Sequence, residues 1–220
     1  MQVIGLCRFS YPALGGFQVE HETMEERIAY LYAEARMEER FRLLETIALP
    51  AFREQTDPDF DLIMVIGDSL PKTHRDRLHD LTAGMPQVRV QAEPPRRHRD
   101  VMKDVLKAAR RDPDKPCIEF RHDDDDAVSV DFIERLRATA EDCRGLMRKN
   151  RSVAIDFNRG YLAKAGPDGI EAEEGVHSYL AVGLAMHVRG GCPLTIMNFA
   201  HNRINRFMPT VTVTDAPMFV

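Results

Sequence analysis

Cys117-Ile118-Glu119-Phe120-Arg121-His122-Asp123-Asp124-Asp125-Asp126-Ala127 is the stretch whose reading decides the fold. Cys117–Phe120 is a short apolar run, and a helical pattern starts near Ser129. The unit reads as a strand, a tight acidic loop and a helix. Four carboxylates cannot share a few ångströms without a cation unless at least one pKa rises. Carboxylate oxygens suit hard divalent ions such as Mg²⁺ and Mn²⁺. Open α/β sheets hold their ligands at the carboxyl ends of strands, where this loop falls. A solvated acidic turn capping the next helix is the competing reading.

Outward from this loop the chain alternates. Val3 to Phe9 is a short buried strand that ends in Arg8-Phe9-Ser10-Tyr11-Pro12 and then Gly15-Gly16. Arg8 stands where a strand meets a Pro/Gly-rich loop, a good place to hold an anion. Thr23 to about Arg53 is helical, as one bent helix or two, with Thr23 and Glu26 spaced as a capping box and Pro50 near the end. Phe60-Asp61-Leu62-Ile63-Met64-Val65-Ile66 is nearly continuous apolar sequence, the pattern of a strand buried on both faces. It ends at Gly67-Asp68-Ser69. A helix from Leu70-Pro71 to about Ala83 and a strand at Val88–Gln91 follow.

Glu93-Pro94-Pro95-Arg96-Arg97-His98-Arg99 precedes a helix spanning about Asp100 to Arg111. A basic cluster at a helix N-terminus is unfavourable unless an anion sits there, because the helix end already carries positive charge. Beyond the acidic loop, helix is expected from Ser129 to about Lys149 and strand at Ser152–Phe157. A hairpin is expected around Gly166-Pro167-Asp168-Gly169, strand at Tyr179–Val188, helix over Leu194 to Phe207, and extended chain at Val211–Val213. This β-α-β alternation predicts an α/β fold with a mostly parallel, Rossmann-like central sheet flanked by helices, mixed toward the C-terminal half.

The chain of 220 residues falls within the range of one domain, and chains of this size bury roughly 70% of their unfolded surface. It is 44% hydrophobic and 30% charged with a net charge of −5, which excludes neither anionic nor cationic ligands because local patches decide that. Nothing points to nucleic acid as a partner. Cys7, Cys117, Cys143 and Cys192 are far apart and form no CxxC pair, so neither a zinc knuckle nor a disulfide framework is indicated. The first residues do not read as a signal peptide, and no apolar run reaches the length of a membrane span. A cytoplasmic location is expected, with peripheral membrane contact left open. The apolar ending Ala216-Pro217-Met218-Phe219-Val220 reads as a truncated C-terminus.

Arg8-Phe9-Ser10, Asp68 and Asp123–Asp126 all follow strands and converge on one edge of such a sheet. With Arg96–Arg99 they offer carboxylates for a divalent ion and cations for phosphates. There is no GxxxxGK[ST] loop and no GxGxxG after the first strand.

The Asp-x-Asp after a fourth strand, followed by a third acid and a helix, resembles the metal motif of GT-A-type glycosyltransferases. More specifically, Arg8-Phe9-Ser10, Arg40-Phe41, Leu49-Pro50, Gln55-Thr56-Asp57, Asp59-Phe60, Leu70-Pro71 and Arg121–Ala127 together resemble the bacterial rhamnosyltransferase family. The resemblance runs from about residue 3 to residue 135 and weakens afterwards. It implies one GT-A-like domain over 1–220, with residues 1–127 as the nucleotide-sugar-binding half and 128–220 as the acceptor side. It implies a nucleoside-diphosphate sugar donor, a glycan or other hydroxyl acceptor, and Mn²⁺ or Mg²⁺ as cofactor.

On this resemblance Asp123 and Asp125 are metal ligands, with Asp123 also meeting the ribose, and Asp126 orients the ligand or approaches the donor sugar. Asp68 accepts from the base, and Arg8, Phe9 and Ser10 line the nucleotide pocket. Arg99, or Arg96 or Arg97, adds charge against the departing diphosphate. If the reaction inverts the anomeric centre, a carboxylate or histidine must deprotonate the acceptor. His201 is selected as base or third metal ligand, ahead of Glu173, Glu174 and His177. Asp124 is expected to point away, since alternate residues of an extended loop face opposite sides. A nucleotidyltransferase or phosphohydrolase using the same acids, and a non-catalytic carbohydrate-binding derivative, are the competing functions.

Overall fold

The apolar runs become the strands of one sheet. The computed structural model describes residues 1–15, 21–166 and 169–220, so Gly16, Pro167 and Asp168 of the expected turns lie outside the described residues. The sheet strands are β1 (Gln2–Arg8), β2 (Asp61–Gly67), β3 (Val88–Glu93), β4 (Cys117–Asp123), β5 (Ser152–Phe157), β8 (Leu184–Val188) and β9 (Thr210–Val213). Their spatial order is β3-β2-β1-β4-β8-β5-β9. Strands β3, β2, β1 and β4 are mutually parallel, and β9 is parallel to β5. Strand β8 runs antiparallel to both its neighbours, which makes the sheet mixed on its C-terminal side. A separate antiparallel hairpin is formed by β6 (Arg159–Gly166) and β7 (Gly169–Val176).

Helices cover both faces, as continuous apolar strands require. On one face α5 (His98–Ala109) sets Val101, Met102, Val105 and Leu106 against Ile4, Leu6, Ile63 and Val65. On the other, Phe41, Phe52 and Phe132 pack with Met64, Ile118 and Phe120. Phe41 belongs to α2 (Glu34–Leu43), Phe52 to α3 (Leu49–Arg53) and Phe132 to α6 (Phe132–Asp142). Gly5 is required here: a Cβ at that position would lie 2.3 Å from the Phe120 ring.

The long helical pattern from Thr23 is two helices. The first, α1 (Met24–Leu31), carries the capping box read from Thr23 and Glu26 and stops at Tyr32. The second, α2, runs through a π-turn at Leu44–Ala48 into α3. Pro50 has no amide for the carbonyl four residues back, and the wider turn, with Leu49 N–H on Leu44 O, falls where the ladder is interrupted.

Three expectations change. The helix after the acidic loop begins at Phe132 rather than Ser129 and breaks at Cys143 before α7 (Arg144–Lys149). The strand expected from Tyr179 starts only at Leu184, because Tyr179 and Gly183 take positive φ values of 62° and 76°. Leu194–Phe207 is not one helix but two 3₁₀ turns, Ile196–Asn198 and His201–Arg206, separated by extended backbone at Phe199 and Ala200. No helix among the described residues is long and apolar enough to cross a membrane.

Candidate functional site

Arg8 closes β1 and Asp123 closes β4, and the parallel register sets them side by side. Everything else at the carboxyl edge is arranged around this pair. Past Arg8 the chain turns sharply, with Ser10 in the left-handed region at φ 47° and its hydroxyl receiving Arg36 Nη1 at 3.0 Å. Past Asp123 the loop tightens: the Asp126 amide donates to Asp123 O at 3.3 Å, and His122 Nε2 donates to Asp126 O at 2.9 Å. Burial holds His122 near pKa 4, so it is neutral.

The four acids divide. Asp124 is 4% exposed and forms an ion pair with Arg40 of α2, in the wall of a cavity it shares with Arg8 and Ser10, so it does not point away as expected. Arg40 Nη1 also reaches Asp125 Oδ2 at 3.0 Å. Burial acts to raise the Asp125 pKa, but the Arg40 hydrogen bond and charge outweigh it and hold the carboxyl below its usual value. Asp126 has no such partner. Burial, and then the charges of Asp123 and Asp125, push it up to about 7.

Three cavities meet at Asp123. One of about 190 Å³ is cationic, lined by Arg8, Arg121, His98 and His201. Arg121 is largely buried, and its Nε and Nη2 find no hydrogen-bond partner among the described residues. Burial, with Arg99 adding to it, lowers its pKa to about 10 against the opposing pull of Asp123. His98 falls to about 4, first through burial and then through Arg8, Arg121 and Arg99. A second cavity of about 210 Å³ lies on the other side of Arg8, with Ser10, Tyr11, Arg36 and Arg40 in its wall. The third, about 570 Å³, has Asp123, Asp125 and Asp126 at one end and Leu162, Ile170, Leu180 and Val182 along its walls. His201 lines this cavity as well as the cationic one. Its Nδ1 lies 2.6 Å from Tyr179 O, which only a protonated Nδ1 can satisfy, so in the neutral ring Nε2 is the acceptor nitrogen.

Of the residues singled out in the sequence, Arg8, Ser10, Asp123, Asp125, Asp126 and His201 are brought together. Phe9 is not presented to the cleft: it is fully buried with its ring 4.9 Å from Phe41. Asp68 is exposed at the end of β2 and lines none of the three cavities, although its charge is felt by Tyr11 and Tyr32. Arg99 is exposed in the first turn of α5 and reaches the site only through its field on His98 and Arg121. Arg96 is already paired with Asp104 at 3.0 Å, so the expected vacancy for an anion there is filled from within. Glu174 is bound by Arg159 at 2.5 Å. Neither Glu173 nor His177 lines the acidic cavity.

Arg121, Arg40 and His98 stood in segments singled out in the sequence, but none was given a role of its own at the site. Arg121 is separated from Asp123 by one residue of β4, so period-two alternation sets both on the same side of the strand. Read that way, the Arg-x-Asp spacing was the available signal. Arg40 stood only in the Arg40-Phe41 segment of the family resemblance, and on α2 it is spaced like any solvated helix charge, so no partner was assigned to it.

Among the described residues no three His, Cys, Asp or Glu side chains are gathered in metal-binding geometry. The donor set is nonetheless hard oxygen, and Asp126, its pKa raised first by burial and then by the charges of Asp123 and Asp125, stands where a cation would relieve the second of these. Two carboxylates fit an ion that completes its shell with water and phosphate oxygens, as Mg²⁺ does, better than one needing a protein cage.

The architecture recurs in TarS of S. aureus. The crystal structure of TarS 1-349 matches with a TM-score of 0.52 at 13% identity, covering 100% of this chain and 60% of that one. The same fragment in complex with UDP gives 0.51 at 9% identity with the same coverage. At these identities the likeness is one of fold. Fold and strand-end site together define a GT-A-like domain, as the acidic motif implied. The chain belongs to the family described as "Putative rhamnosyl transferase", whose model matches residues 2–220. It spans 60% of the length of TarS 1-349. A search of curated proteins finds no match.

Proposed function

We propose that this domain transfers a sugar, rhamnose on the family's description, from a nucleoside diphosphate to an acceptor hydroxyl. The observation that carries the reading is the meeting at Asp123 of a cationic cavity built on Arg8 and Arg121 with a carboxylate cluster. A departing diphosphate needs both: cations for its oxygens, and acids to hold a divalent ion against it. Arg8 and Arg121 take the diphosphate, their charges strengthened by the low-dielectric surroundings. Asp123 and Asp125 would hold Mn²⁺ or Mg²⁺, which would neutralise charge growing on the leaving group. Asp126 orients the ligand beside them.

The acceptor enters along the aliphatic walls of the large cavity. With Nδ1 donating to Tyr179 O, Nε2 is the nitrogen that the neutral His201 ring offers to the cleft, and it accepts the proton of the acceptor hydroxyl as the new glycosidic bond forms. The domain is proposed to work in the cytoplasm, where nucleotide sugars would reach the cleft.

Calorimetry with UDP, dTDP and GDP, each with and without Mn²⁺, tests the donor side. We expect one nucleotide to bind in a Mn²⁺-dependent way and Asp125→Ala to abolish that dependence with the fold retained. Unchanged affinity in the variant would sink the metal assignment. Release of nucleoside diphosphate together with a new glycoside supports transfer. Nucleoside monophosphate or free phosphate as product would instead identify a nucleotidyltransferase or phosphohydrolase.

A further inference from the structure

Asp156 lies on β5, outside every residue assigned so far. It is 1% exposed in a strand otherwise made of core residues. Its Oδ1 accepts the Tyr179 amide at 3.0 Å, while Oδ2 is buried without a partner among the described residues. A buried carboxyl carries a cost, and here burial raises its pKa to about 6.

What it holds is unusual. Tyr179 sits in the left-handed region at φ 62°, a conformation that non-glycine residues seldom take without outside support. The same residue's carbonyl, on the other side of the peptide unit, receives His201 Nδ1 at 2.6 Å. Asp156, the Tyr179 backbone and His201 therefore form one hydrogen-bonded line running from the sheet to the cleft. The next residues, Leu180, Ala181 and Val182, form the cleft wall. The base of this loop is tied down a second time, where the His177 amide donates to Asn158 O at 2.6 Å.

We infer that Asp156 is a positioning residue: through the Tyr179 backbone it fixes the His201 ring with Nδ1 protonated and Nε2 bare toward the acceptor. The inference rests on the proposed role of His201 in sugar transfer. It explains why a strand of apolar neighbours carries one carboxylate, and why a tyrosine is kept where glycine would be unstrained.

The test joins a spectroscopic readout to a kinetic one. Histidine-selective nitrogen NMR, with the His201 signal assigned by its loss in His201→Gln, should show Nδ1 protonated in the native protein. In Asp156→Ala the signal should move toward the Nε2-protonated form. In the same variant kcat for transfer should fall about 10- to 100-fold, as for other residues that orient a working histidine, with donor KM unchanged. Asp156→Asn keeps an acceptor oxygen and should restore both. An unshifted tautomer, or a shifted tautomer with unaltered kcat, overturns the proposal. A shifted tautomer in a protein whose native form transfers no sugar leaves the hydrogen-bonded line standing and removes the transferase reading. If Asp156→Ala does not fold, hydrogen exchange in the native protein decides. The Tyr179 amide should exchange as slowly as the β5 amides, and fast exchange overturns the link.

Discussion

Arg40 grips Asp124 from two sides. Its Nε donates to Asp124 Oδ2 at 3.0 Å, and its Nη2 pairs with Oδ1. With Nη1 on Asp125, one side chain from α2 sets the shape of the acidic loop at the end of β4. Removing the guanidinium leaves a buried carboxylate uncompensated. Arg40→Met should cost ~3 kcal/mol of stability, read by urea denaturation, and Asp124→Asn added to it should recover part of the loss. If Arg40→Met is as stable as the native protein, the pair is not the brace described.

Asp126 makes a pH prediction whose sign follows from its raised pKa of about 7. The folded protein binds the Asp126 proton more tightly than the unfolded chain does. Stability from this group is therefore present at low pH and lost as pH rises through about 7. Asp126→Asn should match the native protein near pH 4 and exceed it above pH 7 by ~1–2 kcal/mol, discounted for partial solvent screening. If Mn²⁺ binds beside Asp126 as proposed, ion and proton oppose each other, and Mn²⁺ affinity should climb with pH and level off above pH 7. A pH-independent difference between variant and native protein would remove the repulsion argument.

Arg121 lines the small cavity, and its Nε and Nη2 are buried without a partner among the described residues. Arg121→Gln should weaken nucleoside diphosphate binding about 10- to 100-fold, the worth of a hydrogen bond to a charged group. Nucleoside binding should be unaffected, which separates a phosphate contact from general damage. Equal losses for nucleoside and nucleotide would assign Arg121 to structure instead.

Glu119 and Arg110 form a second buried pair. Glu119 is fully buried, and Arg110 donates to its Oε1 from Nη2 at 2.6 Å and from Nε at 3.0 Å. The same pair reaches the loop before His201: Ile196 N donates to Glu119 Oε2 at 2.9 Å, and Arg110 donates to Cys192 O at 2.7 Å. Glu119→Ala should cost ~3–5 kcal/mol, visible as a lowered denaturation midpoint. A cost below ~1 kcal/mol would mean that the loop is held by other contacts.

The fold up to the acidic loop was legible because its signals are local. Phe60–Ile66 is apolar without a break and becomes a strand buried on both faces, and Thr23 with Glu26 marks a helix start at its observed place. The acidic cluster was legible for the same reason, four like charges in a row at a strand end. What failed was decided by partners distant in sequence. Phe9 looked like a pocket residue until Phe41 came to pack on it, 32 positions along the chain by their numbers. Tyr179 continued an apolar run but is turned out of strand geometry by Asp156, and Leu194–Phe207 has helical spacing without a packing face long enough to hold one helix.

The reversed strand β8 has a consequence for the order in which the molecule assembles. Strands β1 to β4 pair in the order β3-β2-β1-β4 and are all made by residue 123. Strand β8 wedges between β4 and β5, pairing residues near 118 with residues near 187. Strand β5 pairs only with β8 and β9, both later in the chain, so it joins the sheet only once β8 has been made. Arg8, Arg121 and Asp123 can thus be in place while the wall that carries Tyr179 and steadies His201 is still unformed. In the assembling chain, the charged edge of the sheet precedes the wall that faces it.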